Sequence, residues 1–513
     1  MGVPPRVRSG KVRSRTPDMY ATGQSDEGIV SMKRTNKGRG PVERGKLPAE
    51  SVERRASAEG NSGSATASGT QGSKGASSGL DRVRQAARRD RQQRFTSLMH
   101  HVDKDLLGAA YRALNPSAAP GVDGVTWQEY GKGLEERLVV VHERVQSGRY
   151  RVRPSKRVWI PKADGRQRPL GIAALEDKIV QQAMVWVLQA IYEEDFKGFS
   201  YGFRPGRGQH NALDAVSVAI EQRKVNWVLD ADIRSFYDTI EHGWMMKFLE
   251  HRVADRRVLR LIRKMLRAGV SEEGQWSKTV VGTPQGAVIS PLLANIYLHY
   301  VLDLWVEWWR RHHARGEVYI VRYADDFVMG FQHRAEAERF QEALRQRMAK
   351  FGLELHEGKT RLVEFGRFAI DNRKARGAGK PETFDFLGFT HICTKGKKNG
   401  RFRLQRKTVT KRWRNKVKEV RWTLRRNRHD PVRKQGQWLR RVVQGHFNYY
   451  GVPGNRRALD RFRTQVCRAW KAALGRRSQK GRKITWKRMG VLIAGWIPST
   501  RITHPYPRER LVV

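Results

Sequence analysis

The stretch VYIVRYADDFVMGF, from Val318 to Phe331, decides the fold. Two apolar, β-rich runs flank Ala324-Asp325, and a turn between two such runs predicts a β-hairpin. A second segment, VNWVLDADI (residues 225–233), predicts a buried strand that ends in carboxylates. Together the two segments predict a sheet that carries acidic side chains at the ends of its strands.

These acidic side chains are Asp230 and Asp232 in one segment and Asp325 and Asp326 in the other. Carboxylates beside buried strands need an ion pair, hydrogen bonds or a metal ion. Acidic hairpin turns are common, so the Asp-Asp pair alone is weak evidence; the apolar strands around both clusters favour a functional site. Oxygen ligands without a nearby His or Cys favour Mg²⁺ over zinc. Two such ions suit in-line phosphoryl transfer.

Helices and strands alternate along the rest of the chain. The segment RVWIPKADGRQRPLGI (residues 157–172) predicts a hairpin around Asp164-Gly165, and FDFLGFTHI (residues 384–392) predicts one short strand. Helical periodicity predicts helices over residues 176–200, 256–266, 291–309 and 335–351. Because no βαβ glycine fingerprint accompanies the alternation, we expect an α+β fold with an antiparallel sheet.

The charge of the chain points to a polyanionic partner. Its 513 residues include 101 Lys and Arg against 50 Asp and Glu, a formal net charge of +51. Such a chain repels itself unless a polyanion neutralises it. No apolar stretch is long enough to span a bilayer and no signal peptide begins the chain. Cys393 and Cys467 are too few for a disulfide framework. We expect an intracellular protein, without a membrane partner, that binds nucleic acid.

The two ends of the chain differ from its middle. Residues 1–80 are rich in Gly, Ser and basic residues, which predicts a disordered tail. From residue 396 onward the chain is strongly basic. Two apolar helical stripes there predict an all-helical module; they consist of Trp413, Val417, Val420 and Leu424, and of Leu459, Phe462, Val466 and Trp470.

YADD (residues 323–326) resembles the catalytic box of reverse transcriptases. Further segments occur in the order expected of the group II intron-encoded reverse transcriptase/maturase family: FTSLMHHV (95–102), APGVDGVTW (119–127), IPKADGRQRPLGI (160–172), YGFRPGRGQHNA (201–212), DIRSFYDTI (232–240), GTPQGAVISPLLANIYL (282–298), LELHEGKT (353–360), FDFLGF (384–389), WLRRVVQGHFNYYGVPGN (438–455) and RRSQKGRKITW (476–486). The terminal HPYP (504–507) resembles compact bacterial forms that splice group IIC introns.

The resemblance implies a right-hand polymerase. Residues 81–221 would form the N-terminal block and fingers, residues 222–395 the palm with interleaved fingers elements, and residues 396–513 an all-helical thumb and maturase (X) domain. This protein would copy intron RNA into DNA from deoxynucleoside triphosphates with two Mg²⁺ ions, for which Mn²⁺ would substitute. It would also assist splicing and mobility as part of a cytoplasmic bacterial ribonucleoprotein.

The implied partners are group II intron RNA, target DNA and a primer 3′ end. Without paired CxxC motifs, we expect no HNH endonuclease and therefore the use of a pre-existing 3′ end. Two alternatives stay open: a splicing-only RNA-binding maturase, and a domesticated non-intron reverse transcriptase that serves defence or repair.

The resemblance also assigns catalytic roles. Asp232, Asp325 and Asp326 would be the catalytic carboxylates. The metal ligands would be Asp232, Asp325 and the carbonyl of Ile233. Tyr237 stands where the family has an aromatic residue, usually Phe, that excludes a ribose 2′-hydroxyl; a core aromatic is the alternative.

Other segments would bind the nucleotide and the primer. Lys162 and Arg168 would grip the triphosphate, although a basic hairpin can also be merely solvated. Gln285 and Gly286 would let the backbone approach the nucleotide, and Lys359 would donate a proton to pyrophosphate or be a surface Lys. The primer grip would be formed by Phe386, Leu387 and Gly388.

Four further residues remain undecided at the level of sequence. Arg204 and Arg207 suit either template phosphate contacts or the start of a helix, and Tyr449 and Tyr450 suit either base stacking or core packing.

Overall fold

A computed structural model describes residues 74–161, 167–272, 274–277, 279–396 and 400–510. Its α-helices are α1 (Lys74–Arg89), α2 (Lys104–Ala113), α3 (Trp127–Gly131), α4 (Leu134–Gln146), α5 (Leu175–Asp195), α6 (Gln209–Gln222), α7 (Phe236–Thr239), α8 (His242–Glu250), α9 (Arg256–Arg267), α10 (Ser290–Leu298), α11 (Leu304–His313), α12 (Arg334–Lys350), α13 (Ala369–Ala375), α14 (Thr410–Arg426), α15 (Val432–Tyr450), α16 (Arg456–Gly475), α17 (Gln479–Arg482), α18 (Trp486–Trp496) and α19 (Pro507–Arg510).

The strands are β1 (Ser155–Pro161), β2 (Gln167–Ile172), β3 (Trp227–Asp232), β4 (Val270–Glu272), β5 (Gln275–Ser277), β6 (Val318–Tyr323), β7 (Asp326–Phe331), β8 (Arg361–Glu364), β9 (Phe384–Phe386), β10 (Phe389–Lys395) and β11 (Phe402–Thr408). They form three sheets, ordered β2-β1-β4-β5, β6-β7-β3-β8 and β11-β10-β9. The described residues thus mix helices with mainly antiparallel sheets, and β1 with β4 is the parallel exception.

The sheet β6-β7-β3-β8, called the central sheet below, positions the acidic residues. Every pairing in it is antiparallel, as the sequence predicted. Side chains alternate between the two faces of a strand. Val228, Val321 and Val328 pack into one hydrophobic core on what we call the front face. Leu229 and Met329 pack into a second core on the rear face.

Helices cover both faces of the central sheet. On the front, α6 packs through Leu213 and Val216. On the rear, α12 packs through Phe340 and Leu344. An amphipathic helix needs such a partner to bury its apolar stripe, and the predicted helix over 335–351 is confirmed as α12.

The predicted helix over residues 291–309 has a local irregularity. Between α10 and α11 the backbone forms a π-helical turn, His299–Asp303, and the helix then continues to His313. In a π turn the backbone hydrogen bonds join residues i and i+5 instead of i and i+4, so the turn holds one extra residue. Here it places the fully buried Asp303 toward the central sheet, where it binds Arg322.

Two predictions in the C-terminal part were wrong. The segment FDFLGFTHI is not one strand but a hairpin of β9 and β10, because Leu387 and Gly388 turn with φ of +46° and +85°. Residues 396–513 are not all helical, since β11 precedes the helices. In β11 the side chains of Leu404, Arg406 and Thr408 are buried in alternation. The basic residue Arg406, at a buried position, concealed this period of two.

The helices after β11 follow the predicted stripes. Val417 and Leu424 of α14 and Phe462 and Trp470 of α16 are buried in the core that also contains the front face of the central sheet. Trp413 lies at the edge of this core and is half-buried.

At the other end, α1 begins at Lys74, inside the segment predicted to be disordered, and residues 1–73 lie outside the described residues. None of the described helices is long and apolar enough to cross a membrane.

Candidate active site

Three acidic residues converge at one end of the central sheet. Asp232 is the last residue of β3 and lies directly opposite Asp326, the first residue of β7. Asp325 occupies the turn between β6 and β7, next to the Tyr323–Asp326 pair that closes the hairpin. The residues are half-buried. The structure therefore brings together the carboxylates that the sequence singled out.

The fourth acidic residue, Asp230, extends the same face. Residues two apart on one strand point to the same side, so Asp230 and Asp232 of β3 share the front face with Val228. Burial raises the pKa of Asp230 to about 7; Arg361 opposes this shift, and the charges of Asp326, Asp385 and Asp232 reinforce it. Asp230 thus lies close enough to Asp232 and Asp326 for their negative charges to act on its carboxyl group.

A buried ion pair supports the acidic turn from behind. The guanidinium of Arg322 donates to both carboxylate oxygens of Asp303, at 2.7 and 2.5 Å, and to the carbonyl oxygen of Ala324 at 3.0 Å. Arg322 and Asp303 are both fully buried. Ala324 has φ of +56°, which is uncommon for a residue with a Cβ. The ion pair therefore fixes a strained turn beside Asp325.

Neighbouring backbone completes this support. Asn295 accepts a hydrogen bond from Arg322 at 3.0 Å and donates one to the carbonyl of Gly202 at 2.6 Å. A Cβ at Gly202 would collide with the backbone nitrogen of Ala324. Sequence reasoning missed Arg322, Asp303 and Asn295. An Arg inside an apolar strand and an Asp inside an apolar helix were the available signals, because each requires a buried partner.

Lys359 contacts the proposed metal site directly. Its ammonium forms an ion pair with the carboxylate of Asp232. The backbone N–H of His356 donates to the carbonyl of Asp232 at 2.8 Å, which holds the Lys359 segment beside β3. A nearby cation stabilises a half-buried carboxylate such as that of Asp232. Lys359 is thus placed at the carboxylates rather than on a remote surface.

The donor set suits a hard divalent cation. Carboxylates from two strands offer oxygen ligands. Ile233 and Leu355 form an isolated antiparallel β-bridge. The hydrogen bonds on either side of it join Arg234 to Glu354 and His356 to Asp232. Because Ile233 itself makes neither bond, its carbonyl points away from Leu355. Within the described residues, no group of three or more His, Cys, Asp or Glu side chains has the geometry of a metal site. The carboxylate of Asp232 forms an ion pair with the ammonium of Lys359.

The residues predicted to bind the nucleotide lie together. Arg168 of β2 donates to the side-chain oxygen of Gln285 at 2.6 Å, and Gln285 donates to Asp238 at 2.9 Å. Burial raises the pKa of Tyr237 well above its usual value; the negative charge of Asp325 adds to this shift and the positive charge of Arg168 opposes it. Asp325 and Arg168 are therefore both near enough to Tyr237 for their charges to act on its hydroxyl.

Gly286 is required by its surroundings. Its φ is +107°, and a Cβ would lie 2.7 Å from Leu170 Cδ1 and 2.8 Å from the carbonyl oxygen of Gly171. The N–H of Gly171 donates to the carbonyl of Gln285 at 2.6 Å, so the loop packs backbone to backbone on β2. The predicted pairing of β1 with β2 is confirmed, and the predicted phosphate-binding residue Lys162 lies outside the described residues.

The predicted primer grip is the tight turn of the β9–β10 hairpin. Phe386 and Leu387 are buried. The hydroxyl of Tyr449, on α15, donates to the carbonyl of Leu387 at 2.7 Å, and a Cβ at Gly388 would lie 2.7 Å from a guanidinium nitrogen of Arg412. The C-terminal helices therefore hold this turn, and Tyr449 has a structural partner.

Three undecided residues also have structural roles. Tyr450 is fully buried and belongs to the core. Arg204 is buried, pairs with Glu193 at 3.0 Å and donates to the carbonyls of Lys197 and Ser200. Arg207 donates to the carbonyl of Gly198 at 2.5 Å. The two Arg side chains thus tie down the loop before α6, which favours the structural reading over template contacts.

Comparisons with known proteins agree with this arrangement. Residues 160–391 match the family described as reverse transcriptase (RNA-dependent DNA polymerase). The chain is 38% identical over 240 residues to protein YkfC of Escherichia coli (41% of this chain, 62% of that protein). It is 33% identical over 231 residues to group II intron-encoded protein LtrA of Lactococcus lactis (44% and 38%). It is 31% identical over 108 residues to mitochondrial nuclear intron maturase 2 of Arabidopsis thaliana (20% and 14%).

Residues 160–391, which contain the acidic hairpin, therefore match a reverse transcriptase family. More particularly, the chain is similar to a group II intron-encoded protein and to an intron maturase, as the motifs indicated. It spans 62% of YkfC and 38% of LtrA.

Proposed function

We propose that this protein is an RNA-directed DNA polymerase that copies intron RNA into DNA, and a maturase that binds the same RNA to assist splicing and mobility. The observation that carries the first part is the register of the central sheet, which sets Asp232 opposite Asp326 and beside the Asp325 turn. This support is independent of the motif match, because strand pairing and not sequence order brings the carboxylates together.

In this proposal Asp232, Asp325 and the carbonyl of Ile233 would hold two divalent cations, Mg²⁺ or Mn²⁺. Bound there, the ions would supply the positive charge that lowers the pKa of a primer 3′-hydroxyl and neutralises the triphosphate. Asp326 would lie nearer the primer end. Lys359 would leave Asp232 when the cations bind, which would free its ammonium to donate a proton to the departing pyrophosphate.

Other side chains would select and orient the nucleotide. Arg168 would exchange Gln285 for a phosphate oxygen, which is a stronger, charge-assisted acceptor. The ring of Tyr237, which is near enough to Arg168 and Asp325 to respond to their charges, would lie beside the ribose of a bound nucleotide. A 2′-hydroxyl would collide with this ring, so the site would favour deoxynucleotides.

The architecture that we propose is a right hand. Residues 81–221 would supply the N-terminal block and fingers and residues 222–395 the palm. Residues 396–513 would supply the thumb and maturase domain, with β11 at its start. Arg and Lys on the outer faces of α14, α15 and α16 would bind RNA phosphates. The protein and its RNA would form a ribonucleoprotein that also binds the primer–template duplex and the target DNA.

The decisive experiment is primer extension on an RNA template with deoxynucleotides and Mg²⁺. Asp325→Asn removes a proposed metal ligand and should abolish synthesis, whereas Asp371→Asn, an exposed residue paired with Lys395, is the matched control. Splicing of a cognate intron RNA should persist in Asp325→Asn. Synthesis by the Asp325→Asn protein would refute the active-site assignment, and splicing without synthesis by the parent would favour the RNA-binding alternative.

A further inference from the structure

A second concave site lies on the rear of the central sheet. An open cavity of about 690 Å³ separates α11 from α12. Its walls combine aromatic and basic side chains, and its lining includes Trp305, Trp308, Trp309, Arg315, Arg339 and Lys350. The acidic residues of the active site face the front of the same sheet. The cavity is therefore separate from the polymerase site and nothing in the proposed reaction uses it.

The floor of the cavity is part of the rear core. Trp305 and Trp309 lie against Phe340 of α12, with ring centroids 5.2 and 4.9 Å apart. Phe340 in turn packs on Phe331 of β7 at 5.4 Å. The aromatic floor is thus fixed to the central sheet, so the cavity is a preformed feature of the fold.

The mouth of the cavity presents a partly exposed aromatic pair. Trp308 is 38% exposed. His312 stacks on it with ring centroids 5.0 Å apart, and one His312 ring nitrogen lies 2.7 Å from the Trp308 carbonyl oxygen. Because neighbours already hold these rings, a planar ligand can stack on Trp308 with little loss of side-chain freedom.

The electrostatics of the cavity select for anions. Its lining contains no Asp or Glu. In the part of the chain that the structure describes, Arg315, Arg339 and Lys350 form no side-chain ion pair, and all three are exposed. Other groups hold the three acids nearby: Glu342 pairs with Arg345 at 2.5 Å, Glu307 pairs with Arg311 at 2.6 Å, and the buried Glu336 accepts the backbone N–H groups of Arg315 and Gly316 at 2.8 and 3.1 Å. The basic groups of the cavity are therefore free to meet phosphates.

One Arg that lines the cavity is held in place by hydrogen bonds to the backbone. Arg347 donates to the carbonyls of Val301 and Tyr300 at 2.9 and 3.1 Å and lies over the ring of Phe351. Burial lowers the pKa of Arg347 to about 10, so the guanidinium stays charged at neutral pH. It adds a fixed positive charge to the exposed ones, which strengthens the potential inside the cavity.

We propose that this cavity binds an unpaired nucleotide of an RNA, with the base stacked on Trp308 and the adjoining phosphates at Arg315, Arg339 and Lys350. The inference rests on the proposed function, because that function supplies the RNA. The volume lies within the range of about 300–1,000 Å³ typical of ligand sites and has room for a base, a sugar and flanking phosphates. Stacking is available to bases that are unpaired, so the site would recognise a bulge or loop rather than a continuous duplex.

The test uses the full chain and two RNA hairpins that differ only in one bulged 2-aminopurine nucleotide. Trp308→Ala should weaken binding of the bulged hairpin about 10-fold and abolish the change in 2-aminopurine fluorescence on binding. Trp308→Phe keeps a ring and should restore most of both signals. The double variant Arg339→Gln/Lys350→Gln should weaken binding and reduce its salt dependence. Arg263→Gln, an exposed residue of α9 outside the cavity, is the matched control.

The outcomes separate this proposal from the proposed function. Primer extension on an unbulged template should be equal in all four variants, because the cavity lies behind the sheet. If Trp308→Ala and the double variant bind the bulged hairpin as the parent does, the proposal is overturned and a protein partner becomes the better occupant. If the parent fails to bind either RNA or to extend a primer, the proposed function fails instead.

Discussion

The buried pair of Arg322 and Asp303 gives the sharpest prediction. Asp303→Asn removes the negative charge but keeps the shape of the side chain. It leaves the Arg322 guanidinium fully buried with neutral acceptors only: the side chain of Asn295, the carbonyl of Ala324 and the one oxygen that the new amide keeps. Breaking one partner of a buried pair costs about 3–5 kcal/mol because the remaining charge is uncompensated. Since two neutral acceptors remain, we expect a loss near the lower end, about 3 kcal/mol.

A double replacement separates stability from activity. Arg322→Met with Asp303→Leu removes both charges and fills the same space with apolar groups. Such swaps of a buried pair are often neutral or stabilising. The carbonyl of Ala324, however, loses its donor, and the turn at φ of +56° loses its support. We therefore expect stability near that of the parent but a fall in primer extension of about 10- to 100-fold, since a small misplacement of Asp325 is costly.

Two measurements check this reasoning. Urea unfolding read by pulse proteolysis gives the change in stability, and single-turnover primer extension at saturating nucleotide gives the rate of the chemical step. Asp371→Asn serves as a surface control in both. A loss below 1 kcal/mol in Asp303→Asn would show that the pair is not energetically coupled. A double variant as active as the parent would refute the role of Arg322 in positioning the turn.

The other predictions concern the nucleotide site and the C-terminal sheet. Tyr237→Ala should allow ribonucleotide incorporation while Tyr237→Phe should not; unchanged sugar selection in competition assays would remove the steric gate. Lys359→Gln frees Asp232 of its ion pair, so half-maximal activity should need less Mg²⁺ while the maximal rate falls; a higher Mg²⁺ requirement would contradict this. Burial lowers the pKa of His391 to about 3, below its unfolded value near 6.5. The fold therefore binds fewer protons than the unfolded chain between these values, and stability should fall as pH drops below about 6.5, by about 2 kcal/mol at pH 5. The ring of His391 stacks on Phe384, so His391→Phe can keep this contact without a titratable group. Urea titrations at pH 5 and pH 7 should show that this variant loses less stability at pH 5 than the parent does. An equal loss in both proteins would argue against the role of His391.

Much of the site follows from alternation and strand ends. The apolar runs around Asp232 and Asp325 were long enough to predict strands, and carboxylates at strand ends converge when the strands pair. What the sequence concealed were features set by tertiary partners. Leu387 and Gly388 stand between Phe386 and Phe389 in a short apolar run, which hides the shift in alternation where the chain turns. The burial of Arg406 in β11 depends on Asp214, which lies far away along the chain.

The supporting residues were concealed for the same reason. Asp303 faces Arg322 only because a π turn rotates it, and a helical periodicity of 3.6 cannot report a local insertion. Lys359 on Asp232 depends on the path of the loop after α12. The sequence shows charged residues such as Asp303 and Arg322 inside apolar segments, where each needs a partner of opposite charge, but it does not show which residue that partner is.

The Tyr449–Leu387 hydrogen bond has a consequence for how this protein can change over time. The core that contains it runs without a break from the central sheet into α14, α15 and α16. A gene fragment cut near residue 396 would expose that core and fail to hold the β9–β10 turn. The central sheet and the helices that follow residue 396 therefore share one hydrophobic core, so we expect that neither part can be removed without exposing apolar side chains of the other to water.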